Sequence, residues 1–224
     1  WVFAFDDFVA KTGGWIANDL GALDFAGGTA VHINAGAAGL ALAIVLGKRF
    51  GFSKGITQPH NVPLTLLGVS LLWFGWFGFN AASTLSATDV QFATVAANTA
   101  ISGAFGAVAS MFWITRRTGK PNPGMMINGM LAGLVAITAA CAFVSPWAAA
   151  LIGSLAAVLV IESTIFIEER LRIDDPCGVI SVHGVCGMFG VLAVGIFANG
   201  SYGAGWNGSE STGVAGIIKG DWGQ

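Results

Sequence analysis

Apolar residues run along this chain in long, nearly unbroken stretches, and the polar residues collect in the gaps. Six stretches approach or exceed the roughly 20 residues that a helix needs to cross a bilayer. They cover residues 25–47, 62–84, 90–115, 124–143, 146–168 and 178–199. The pattern predicts an all-α, polytopic transmembrane helix bundle. Basic residues punctuate it unevenly. Lys48, Arg49 and Lys54 follow the first span, Arg116, Arg117 and Lys120 the third, and Arg170 and Arg172 the fifth. The connectors after the second and fourth spans contain no Lys or Arg. Short loops rich in Lys and Arg stay in the cytoplasm, so the first span runs from outside to inside and the sixth from inside to outside. Lys11 and Lys219 fall on the outer side, and the Gly- and Ser-rich tail from 200 to 224 reads as an extracellular loop.

Composition sharpens this picture. The chain is 54% hydrophobic and 10% charged, against roughly 25% charged in soluble domains. A net charge of −2 gives no reason to expect a nucleic-acid partner. Cys141, Cys177 and Cys186 are odd in number and lie in or beside apolar runs, which suits small buried hydrophobes better than a disulfide framework. Without a CxxC pair a zinc site is not expected, and no other metal or cofactor is called for. In the third span, Ser102, Gly106 and Ser110 form a small-xxx-small ladder of the kind that lets membrane helices approach closely. The chain opens on Trp1 with no signal-peptide pattern.

Against this apolar background one signature is written twice. In "LDFAGGTAVHINAG" Asp24 precedes His32 by eight positions, and Gly36 follows four later; in "DDPCGVISVHGVCG" Asp175, His183 and Gly187 repeat the spacing. Eight helical residues cover about 12 Å. Asp24 opens an inward helix and Asp175 an outward one, so both imidazoles arrive near the midplane from opposite sides. Two antiparallel copies of one motif mark an inverted-topology repeat around a central site. An ionisable group at that depth is a functional candidate. For the two aspartates, N-capping alone is an alternative account. A neutral imidazole offers one donor and one acceptor, so two in contact can share a proton along a narrow path for a small polar substrate. Two facing histidines can also ligate a haem, as in a b-type cytochrome. In the second span, Leu72, Trp76, Phe79 and Ser83 fall on one helical face. The aromatic faces can hold a bare cation, and the Ser83 hydroxyl can accept a hydrogen bond from it. An interfacial aromatic belt is the competing account.

"DFAGGTAVHINAG", "LLWFGWFGFNAAS", "NGMLAGLVAITAACAFVSP" and "DDPCGVISVHGVCG" together resemble the ammonium transporters of the Amt/Mep/Rh group, most closely the Amt branch. The resemblance implies part of an eleven-helix inverted-repeat fold, running from just before the fifth helix to a point before the eleventh. It implies a homotrimer in the plasma membrane, with one NH4+/NH3 pore per subunit. His32 and His183 match the paired pore histidines, Asp24 the acidic residue near the outer recruitment site, and Phe79 one of two stacked gate phenylalanines. Ser83 matches the outer-site hydroxyl and Trp76 a pore-lining aromatic; Asp175 falls at the inner exit. A C-terminal region through which PII-type regulators act in many relatives is not in this sequence. Two departures stand out: Thr12 occupies the place of the outer-site tryptophan, for which Trp15 or Trp1 is a substitute, and Gly178 stands where many relatives carry an acid. An ammonium sensor coupled to a signalling domain is the alternative to a transporter. With half the pore wall absent, both histidines are expected on an incompletely enclosed face.

Overall fold

The computed structural model describes Val2 and residues 14–54, 60–88, 90–203 and 213–221; Trp1, Lys11 and Thr12 lie outside these. A single turn, α1 (Trp15–Asn18), is followed by α2 (Gly28–Leu46), α3 (Val62–Thr84), α4 (Val90–Thr118), α5 (Pro123–Thr138), α6 (Pro146–Arg170) and α7 (Ile180–Phe197). All but α1 and α5 are long and apolar enough to cross a membrane. Among the described residues, extended pairing amounts to one isolated bridge, Asn199 with Ala215.

The helices start where the sequence supplies caps. Asn61 and Asn122 accept hydrogen bonds from Leu64 N and Met125 N. Pro63, Pro123 and Pro146 occupy first turns, where a missing N–H costs nothing. After α2 and α4 the chain turns at Gly47 and Gly119, both at positive φ.

The apolar run from 124 to 143 predicts a helix that long, yet α5 stops at Thr138, after 16 residues. Residues 139–144 instead form a fully buried turn. Its carbonyls find partners from outside the helix: Asn98 Nδ2 donates to Cys141 O and Val144 O, and Phe25 N to Ala139 O. At 1.5 Å per residue α5 reaches only about 24 Å, and the turn extends it with the Ala139, Cys141 and Val144 carbonyls bonded from neighbouring segments.

The centre of the bundle is α4, α5 and α6. The ladder of small residues on α4 serves here as its spacing suggests: Ser102 and Gly106 meet Gly133, Gly106 and Ser110 meet Gly129, and Ser102 also meets Gly153. Ser102 Oγ donates to Gly133 O. Leu134, Ile137, Ile152, Ile161 and Val95 fill the core between these helices. To this block α2 adds against the first turns of α7, and α3 against α5 and α4. Their far sides stay open: Leu42, Ile44, Val45 and Leu46 on α2, and Leu64, Leu67, Leu71 and Phe74 on α3 are exposed. At the far end of α7 the tail turns back on itself, with Gly200 N bonding Val214 O and Gly216 N bonding Ala198 O.

Candidate functional site: two imidazoles under an aromatic stack

Both copies of the repeated signature fold the same way. Asp24 accepts four backbone N–H bonds, from Gly27, Gly28, Thr29 and Ala30, at 2.6–3.3 Å. Asp175 accepts from Val179 N and Ile180 N at 2.9 and 2.7 Å. Each carboxylate thus sits on the positive end of the helix that carries its histidine, and each is buried. Both histidines then fall in a widened helical turn, Gly28–Ile33 or Ile180–Val185, in which the backbone bonds skip one extra residue. A third such turn, Phe77–Ala81, carries Phe79. Widened turns re-aim side chains that a regular helix would direct elsewhere, and they gather at functional sites.

The two rings meet. His32 Nδ1 and His183 Nδ1 are 3.0 Å apart, with ring centroids at 5.2 Å. Glycine makes this approach possible. Gly36 lies backbone to backbone against Gly184, and any side chain on Gly36 would overlap it. Gly187 sits against Gly28 O and His32 Cβ. Trp76 lies over His32, nearly parallel at 5.4 Å, and Phe79 closes on both, 5.5 Å from His32 and 5.6 Å from Trp76. Trp76 is held by its Nε1 donating to Thr138 Oγ1, which in turn donates to Leu134 O.

Enclosure is uneven. His32 is only 3% exposed, because Trp76 and Phe79 cover it, while His183 is half-buried. The expected open face therefore applies to His183 and not to His32. His32 Nε2 is buried without a partner among the described residues. The separation of the two Nδ1 atoms leaves no interval for a porphyrin and its iron, so the haem alternative fails on geometry.

Ser83 is half-buried and donates its hydroxyl proton to Phe79 O at 2.7 Å, which leaves its lone pairs to accept. Leu72 is exposed. Asp24, with both oxygens engaged by amides, offers no free face to a ligand. Nothing in the sequence signalled the Trp76–Thr138 bond, since Thr138 reads as one more small residue in an apolar run.

A bundle of long apolar helices with two touching imidazoles under aromatic rings defines a membrane protein with a polar cluster between apolar helices. The chain belongs to the Ammonium Transporter Family, whose sequence profile matches residues 1–224. It is 44% identical to the ammonium transporter Amt2 of Archaeoglobus fulgidus over 97% of this chain and 46% of that protein. It is 46% identical to an ammonium transporter of Mycobacterium tuberculosis over 98% and 44%. Among solved structures it superposes on Saccharomyces cerevisiae Mep2 with a TM-score of 0.83 and 34% identity, covering 94% of this chain and 47% of that one. It also superposes on a sensor Amt protein with a TM-score of 0.80 and 41% identity, covering 88% and 50%. The chain spans about half the length of the curated relatives it matches.

Proposed function

We propose that the protein of which these helices form part conducts ammonium across the plasma membrane, through a pore centred on His32 and His183. The observation that carries this reading is the direct Nδ1–Nδ1 contact beneath Trp76 and Phe79. NH4+ is recruited from outside by the Ser83 hydroxyl and the aromatic faces, which replace part of its water. At the rings the ion sheds its remaining water and its proton. Ammonia passes along the imidazoles, and the proton follows through the same pair, each ring accepting on one nitrogen and donating from the other. Potassium is rejected because an apolar lumen cannot replace its hydration shell and K+ has no proton to give up. Asp24 and Asp175 act as positioning residues, holding the two histidine helices by their first turns. The active unit is a homotrimer, open to PII-type regulators through segments beyond this chain, and it carries no enzymatic activity.

Flux of ammonium into vesicles containing the full-length protein tests this. Replacing both His32 and His183 by Ala is expected to abolish selective flux; undiminished, still selective flux would refute the pore. Similarity to a protein described as a sensor supports a second reading, in which the same site binds ammonium and signals. A kinase or other signalling domain downstream in the reading frame would favour it.

A further inference from the structure

The placement of Phe79 over His32 depends on the widened turn Phe77–Ala81, which holds one residue more than a regular turn. Where that extra residue sits decides how the side chains on either side of it point. Asn80, the next residue along, is wholly buried. Its Nδ2 donates to Thr99 Oγ1 on α4 at 3.0 Å, and Thr99 Oγ1 donates to Val95 O at 2.7 Å. With its one proton committed, the Thr99 hydroxyl can only accept from Asn80. The bond therefore ties the widened turn to a fixed point on α4.

That point is also tied to the other aromatic. Asn98, one residue before Thr99, donates from Nδ2 to Cys141 O and Val144 O in the turn that follows α5. Thr138, the last residue of α5, holds the indole N–H of Trp76. Trp76 thus hangs from α5 and the Phe79 turn from α4, and adjacent residues of α4 join the two supports. Ser83 is referenced to the same turn, since its hydroxyl donates to Phe79 O.

Packing alone would not favour asparagine here. Asn80 Oδ1 is buried without a partner among the described residues, and a stranded acceptor is costly. Hydrogen bonds between membrane helices add only modestly to their association, so an apolar residue at position 80 would join α3 to α4 without that cost. What asparagine adds is direction, which specifies one arrangement of the turn.

We propose that Asn80 and Thr99 are positioning residues for ammonium recruitment: their bond sets the widened turn so that Phe79 and Ser83 face the incoming ion together. Neither residue touches the ion. The role rests on the ammonium reading above and names the element that fixes the geometry of its outer site.

The full-length protein in vesicles, with external ammonium chloride as the probe, tests this. Thr99→Val keeps the side-chain shape and removes the acceptor, whereas Thr99→Ser keeps the acceptor. Thr99→Val is expected to raise the half-saturating ammonium concentration about fivefold, the worth of one buried neutral hydrogen bond, with maximal flux within about twofold. Thr99→Ser should stay within about twofold of wild type. The double variant Asn80→Leu with Thr99→Val removes donor and acceptor together, so neither partner is stranded. It should unfold thermally close to wild type in detergent, yet its half-saturating concentration should remain raised. A value that returned to wild type in the double variant would reduce the bond to helix packing and overturn the positioning role. So would an unchanged value in Thr99→Val, or an equal rise in Thr99→Ser. A wild-type protein that carried no ammonium flux would instead remove the conduction reading itself.

Discussion

Asp24 shows how a residue can anchor the helix that carries a site residue through backbone bonds alone. Its two oxygens satisfy four backbone amides, those of Gly27 and Gly28 buried and those of Thr29 and Ala30 partly so. Asp24→Ala should therefore destabilise the folded protein by about 2–3 kcal/mol, a lost cap together with stranded N–H groups. Thermal unfolding in detergent would show it, and Asp24→Asn, which keeps one acceptor oxygen, should cost less. At this scale the sequence spoke clearly where chemistry is rare. Two histidines at matched spacing from aspartates stand out in a chain with so few ionisable groups, and the aromatic face of α3 was legible from a spacing of three and four. Thr138 was not, because a lone threonine in an apolar run has the same appearance whether it steadies a tryptophan or fills space.

The helices show which parts of the pattern translate directly. Long apolar runs became helices because lipid leaves the backbone no other partner than itself. The turn after α5 escaped that logic, since its Cys141 and Val144 carbonyls are satisfied by Asn98 on α4, a contact invisible in a linear reading. The widened turns were equally hidden, as their residues have ordinary helical composition. A second pairing binds the histidine helices at their inner ends. Arg49, just after α2, donates from its backbone N and its guanidinium to Asp174, just before α7. Asp174 is nearly sealed from solvent and Arg49 is not. The guanidinium hydrogen bonds hold the Asp174 carboxyl below the ordinary carboxylate range, and those same bonds raise Arg49 further. A carboxyl lowered by folding adds stability above its unfolded value, near 4, and loses it as the pH falls through the lower folded value. Stability should thus be insensitive to this pair at neutral pH and decline only in strong acid. In Asp174→Asn the decline should be shallower, with a loss of up to about 1 kcal/mol at neutral pH. Denaturant titrations between neutral and acidic pH would measure both.

For the whole molecule, the alternation of basic loops predicts which end faces the cytoplasm, and one thiol can report it. Cys177 is exposed between Asp175 and α7, while Cys141 and Cys186 are buried. A membrane-impermeant maleimide should label Cys177 only from the cytoplasmic side and leave the other two unmodified in the folded protein; labelling of Cys177 from outside would invert the topology. The crossing of Gly36 over Gly184 has a mechanical consequence. Two rods riveted at one crossing behave as scissors: tilting opens or closes the tips, but the rivet keeps its dimension. Thicker or thinner bilayers are expected to tilt these helices, and the imidazoles stand beside the rivet. Their separation should therefore be indifferent to acyl-chain length, leaving the surrounding membrane free to vary while the proton-sharing distance stays constant.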